Sequence, residues 1–130
     1  MQTVLLVLQV VVALGLLNVW LLRFGRATSY RGGNAQSMRD EFAVYGLPAG
    51  AMYAVGTLKV LAAICLLAGI WLHVLVFPAA AVVAVLMVGA LAMHVKVHDP
   101  LVKSLPATSV LALCLAICWL SRQGWVPSNL

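Results

Sequence analysis

Apolar residues along this chain gather in four long blocks separated by short polar segments, and the block lengths carry the first inference. Residues 3–22 read TVLLVLQVVVALGLLNVWLL. About 20 such residues rising 1.5 Å each match the hydrocarbon thickness of a bilayer, so the block predicts a membrane-spanning helix. Further blocks run over residues 49–72, 75–95 and 104–121. Pro48, Pro78 and Pro106 stand at their openings, where the first helical turn loses nothing by a missing N–H. The third and fourth blocks are short. They need the apolar flanks Val74–Phe77 and Leu101–Leu105 to span, or a local thinning of the bilayer.

The long polar stretch, residues 23–47, has internal order. Arg31-Gly32-Gly33-Asn34 is turn chemistry. Ser37 followed by Asp40 resembles a capping box, and Met38, Phe42 and Tyr45 then recur at i, i+4, i+7. The pattern fits a short interfacial helix with its apolar side against lipid or the bundle, as well as a solvated loop. The expected fold is an all-α membrane protein, a four-helix transmembrane bundle in one domain with a short interfacial segment between helices 1 and 2. Three spans plus a re-entrant segment is the rival.

Composition strengthens the membrane reading. Of 130 residues, 65% are hydrophobic and only 8% charged, against roughly 25% charged in a soluble domain. A soluble globule of this size could not hide that much apolar surface. The first block is not followed by signal-peptide features, since residues 1–8 carry no side-chain charge and Arg23 and Arg26 come after the block, so it reads as a retained helix. The net charge of +5 reflects basic loops rather than a nucleic-acid stripe. Arg23, Arg26, Arg31 and Arg39 fall between the first two blocks and Lys96 and Lys103 between the last two, whereas Arg122 stands alone on the other side. The bias places both basic loops in the cytoplasm and both termini outside it. The expected location is a bacterial inner membrane, with the lipid bilayer as the first partner.

Polar groups inside the blocks are the candidate chemistry. Lys59 sits near the middle of the second block, where a charge is costly and marks a functional site by default; snorkelling toward the cytoplasmic interface is the alternative. His94 closes the third block, seven residues after Met87 and four after Ala90 on one face. Asn18, Lys59 and His94 fall in the same half of the bilayer and could line one pocket, with Met52, Tyr53 and Met87 as apolar walls. Gln9 lies toward the other side and suits an interhelical hydrogen bond. Cys65, Cys114 and Cys118 read as packing residues in apolar runs, and with His73, His94 and His98 they form no metal motif. Trp20, Trp71 and Trp119 near the block ends suggest an aromatic belt. Gly56, Gly89, Ala112 and Ala116 would let helices approach closely.

The stretch FAVYGLPAGAMYAVGTLKVLAAICLLAG, followed by LMVGALAMHVKVHDP, resembles the DoxX-like family of small four-helix membrane proteins. The features that carry the resemblance are the Tyr45-Gly46-Leu47-Pro48 entry to the second helix, the Gly56-x-x-Lys59 step, and the Met87-x-x-Ala90-x-x-x-His94 face with Asp99 downstream. They cover residues 42–106. The resemblance implies a four-helix bundle and relatives among subunits linked to quinone oxidoreduction, membrane partners of redox enzymes, and receptor-assembly chaperones. It brings a quinone into view as a ligand and membrane or redox proteins as partners, while exposed helix faces and small-residue contacts permit a dimer with a second copy of the chain.

The leading expectation is an accessory protein without catalysis of its own, binding a lipid-like or quinone-like molecule or a partner between its helices. One alternative is a membrane oxidoreductase subunit that passes electrons to quinone, although no haem-attachment motif, Cys cluster or nucleotide loop is visible. Another is a small-molecule transporter, although no Asp or Glu lies in a span to exchange protons.

Overall fold

A computed structural model describes residues 2–26 and 30–123. Among them the chain is all helical. Helix α1 (Gln2–Leu17) continues as a wider π turn over Asn18–Leu22, α2 is Met38–Val44, α3 is Ala49–Ala68, α4 is Val76–Lys96 and α5 is Leu105–Ser121. Single 3-10 turns over His73–Leu75 and Leu101–Ser104 extend α4 and α5 at their openings. With those extensions four segments, Gln2–Leu22, Ala49–Ala68, His73–Lys96 and Leu101–Ser121, are long and apolar enough to cross a membrane. Helix α3 ends at Ala68 rather than running to Leu72, because residues 69–72 close turns back onto Cys65, Leu67 and Ala68.

Each long helix packs on two neighbours: α1 on α3 and α5, α4 on α3 and α5. The four therefore close a ring around a core of Leu5, Val12, Leu16, Leu66, Val76, Val83, Cys114 and Ile117, with Ala63 and Ala80 where backbones approach. Small residues at such seams replace the hydrophobic drive that lipid cannot supply. Gln9, on the same stripe of α1, is fully buried and donates from Nε2 to the Leu66 carbonyl of α3 at 2.9 Å. Outside the ring, large apolar side chains such as Val85, Trp71 and Leu115 stand exposed, which is what a lipid-facing surface requires. Gly89 makes no close approach: a Cβ there would meet nothing within 4 Å.

The polar stretch contains the helix its pattern fits. Ser37 is the N-cap of α2, its Oγ accepting from the Asp40 amide at 3.1 Å. Met38 and Phe42 turn inward and, with Trp20 and Met52, form a second core cluster beneath α2. The helix stops in a Schellman turn, the Leu47 amide bonding the Phe42 carbonyl and the Gly46 amide that of Ala43. That turn needs φ > 0 at Gly46, which adopts +77°, a conformation that glycine takes without steric cost. Pro48 follows as the N-cap of α3. Thus α2 is folded back over the end of the bundle where α1 finishes and α3 begins.

Candidate functional site

The covered end of the bundle is held by charges that the loops bring together. Arg31 is only 4% exposed. Its Nη1 donates to Glu41 Oε2 at 2.9 Å, its Nε to the Arg26 carbonyl at 3.1 Å, and its Nη2 to the carbonyls of Arg23 and Phe24. The other Glu41 oxygen accepts from the Tyr45 hydroxyl at 2.7 Å. Burial and then the bond to Glu41 push the Tyr45 phenol above its ordinary range, so it stays protonated and donates.

A second knot ties α4 to the same loop. Helix α4 ends in a Schellman turn in which the Asp99 amide bonds the His94 carbonyl and the His98 amide that of Val95. His98 occupies the left-handed position at φ 57°, and this swings the Asp99 side chain back onto its own helix. Asp99 Oδ2 lies 2.7 Å from His94 Nδ1 and Oδ1 accepts the Gly33 amide at 3.0 Å, while Lys103 Nζ stands 3.9 Å away and also bonds the Gly33 carbonyl. Lys96 Nζ donates to the Tyr45 carbonyl at 2.8 Å. An ionised carboxylate only accepts, so His94 Nδ1 carries the proton.

Burial alone would raise the Asp99 carboxyl; the bonds from His94 and the Gly33 amide, with the Lys103 charge, outweigh it and hold the group below its ordinary 3.8. A carboxyl depressed in the folded state adds stability that is full above the unfolded value and is lost as pH falls through the folded one. Wild-type protein is therefore expected to lose stability relative to Asp99→Asn as pH drops from about 5 toward 2. Parallel thermal melts of the two proteins in detergent check this, and a gap that does not change on acidification counts against the ionised Asp99 anchor.

Ring contacts connect the two knots to the interior. His94 meets Tyr45 edge-on at 5.9 Å, Tyr45 lies 6.3 Å from Phe42, and Phe42 meets Trp20 at 6.2 Å. Beyond Trp20 stands Lys59, half-buried, its Nζ 5.5 Å from the indole centroid. Ammonium against an indole face is the favourable cation–π arrangement. Lys59 and His94 are thus the two ends of one aromatic row, with no direct contact between them.

Trp20 is 7% exposed and does not belong to an outer belt. It follows Leu16 by four residues and so stays on the buried stripe of α1. Its ring lies against Gly56 so closely that a Cβ there would stand 2.6 Å from the indole. On the far flank of this contact lies a groove of about 320 Å³, walled by Trp20 and Phe24 from the first helix and its sequel and by Met52, Tyr53, Gly56, Thr57, Val60 and Leu61 of α3. That volume is at the lower end of small-molecule pockets. Tyr53 forms its rim, where the hydroxyl accepts from Arg39 Nη2 at 2.7 Å and the ring lies under the same guanidinium at 5.7 Å.

The profile of the DoxX-like family matches residues 7–120, nearly the whole of the described chain. The chain belongs to the DoxX-like family. No curated protein and no solved structure matches it closely enough to count as a relative.

For this DoxX-like protein the sequence candidates separate into distinct places. Met52 and Tyr53 line the groove. Lys59 Nζ lies over the ring of its Trp20 wall. His94 is engaged with Asp99 and Tyr45. Met87 packs in the central core. Asn18 is half-buried in the π turn, its carbonyl accepting the Arg23 amide at 3.0 Å, and its side chain makes no hydrogen bond to the other candidates. Trp20, Arg31 and Arg39 are participants that the sequence pattern alone does not place at a site. Among the described residues no group of three or more His, Cys, Asp or Glu could hold a metal ion.

Proposed function

We propose that this DoxX-like protein is an accessory membrane protein that holds one lipid-like or quinone-like molecule in the groove between Trp20 and α3. The observation that carries this reading is the groove itself: largely apolar walls, an opening toward the lipid-facing side at Tyr53 and Leu61, and few polar groups, Thr57 on the α3 wall and Tyr53 with Arg39 at the rim. Apolar walls with a few placed polar groups are the usual make-up of a small-molecule site. Met52 and Tyr53 form walls, Lys59 fixes the indole from behind, and His94 acts at a distance by seating Tyr45 and Phe42. Asn18 and Met87 take no part. The groove lies at the end carrying Arg23, Arg26, Arg39, Lys96 and Lys103, which by the positive-inside rule faces the cytoplasm.

Mass spectrometry of protein purified in mild detergent and washed free of loosely held lipid tests the proposal. About one retained amphiphile per chain is expected. Protein that emerges bare, with groove and fold intact, would remove the support.

A further inference from the structure

We infer that the occupant is an anionic glycerophospholipid of the leaflet on the basic-loop side, with its acyl chain in the groove and its phosphate on Arg39. The inference rests on the groove reading above and names the ligand class. Arg39 is exposed and makes no ion pair among the described residues, whereas Arg31 is taken up by Glu41 and Lys103 by Asp99. Among the described residues one guanidinium N–H is engaged, by Tyr53. Of five donors in a planar fork the rest remain for phosphate oxygens, which such a fork matches bidentately. A neutral quinone head would leave that charge unused.

Depth agrees with charge. From Met52 to Leu61 the groove follows α3 for about 13 Å at 1.5 Å per residue, close to half of a hydrocarbon core about 30 Å thick. Arg39 and Tyr53 stand at its outer end, next to the loop. Charge at the interface and an apolar trough one leaflet deep is the layout of a phospholipid, headgroup and chain in register. Arg23 and Arg26, exposed on the same loop, add attraction for the same leaflet without touching the groove.

The test is native mass spectrometry of the full chain released from nanodiscs of equal parts phosphatidylethanolamine and phosphatidylglycerol. Wild type is expected to retain the anionic lipid about fivefold over the neutral one, the gain that one well-placed arginine gives near an anionic surface. Arg39→Gln, a change at an exposed position, should bring the ratio near parity while retention of some lipid persists. Arg26→Gln should leave the ratio unchanged. Glycerol phosphate added in excess should not displace the bound lipid, since it lacks the chain. A ratio unaffected by Arg39→Gln, or lowered equally by Arg26→Gln, overturns the Arg39 site and leaves the groove reading standing. If wild type retains neither lipid, both fall together.

Discussion

Glu41→Ala is expected to lower the unfolding free energy by about 3 kcal/mol or more, the range found when one partner of a buried ion pair is removed. The magnitude follows from what remains. Arg31 is nearly inaccessible, and without Glu41 its charge is answered, among the described residues, by the carbonyls of Arg23, Phe24 and Arg26 and weakly by the Met38 sulfur. Tyr45 loses the acceptor for its hydroxyl as well. Both losses fall on the segment that folds α2 over the bundle, so the damage should be local before it is global, with residues 31–45 becoming open to protease. The double variant Arg31→Met/Glu41→Leu should recover part of the loss, because a matched apolar pair removes the stranded charge. Recovery stays incomplete because the loop carbonyls still lack their donor. Melting and limited proteolysis in detergent measure both effects; a Glu41→Ala protein within about 0.5 kcal/mol of wild type would mean that the pair does not hold the cover in place.

Gly56→Val should destabilise the protein by about 1–3 kcal/mol through overpacking and should also empty the groove. The added Cβ would lie 2.6 Å from the Trp20 ring, so the indole must move. Its neighbours limit where it can go: Phe24 at 5.9 Å, Phe42 at 6.2 Å and the Lys59 ammonium on its face. The direction left open is the groove. Fluorescence from Trp20, with the other tryptophans replaced, should therefore change together with the loss of bound amphiphile. Gly50→Val, where a Cβ meets nothing within 4 Å, is the control and should leave both intact. If Gly56→Val keeps its ligand and its melting point, the indole is not the wall it is taken to be.

Hydrophobic length was the most readable property of this chain. A span must run long enough to cross hydrocarbon and satisfy its own backbone, so four helices follow from four blocks with little need of tertiary information. Helix α2 was legible for a related reason, since Met38, Phe42 and Tyr45 repeat at helical spacing behind a serine cap, and all three are buried. The position of Trp20 was also available, four residues after Leu16 on the stripe of Leu5, Gln9 and Val12; the belt rule for tryptophan obscured it.

The candidate site was less legible because its contacts join residues far apart in sequence through turns. Arg31 looked like one more loop charge, and nothing in its neighbourhood indicates that Glu41 returns to it across ten residues. Gly33 meets Asp99 across 66 residues, a contact that depends on the left-handed turn at His98, where a histidine occupies a position usually given to glycine. Lys59 and His94 stand out in the sequence as the costly polar groups, and in the fold a row of three rings, Tyr45, Phe42 and Trp20, runs between them. Periodicity assigns a face to each residue; it does not say which face meets which.

The most direct test of the groove is photo-crosslinking with a phosphatidylglycerol that carries a diazirine in its acyl chain, followed by peptide mapping of the labelled protein in nanodiscs. Adducts should concentrate on Phe24, Tyr53, Thr57 and Leu61, and Gly56→Val should abolish that concentration. Adducts spread evenly over lipid-facing positions such as Val85, Val88 and Leu115, unchanged by Gly56→Val, would contradict a bound molecule between Trp20 and α3.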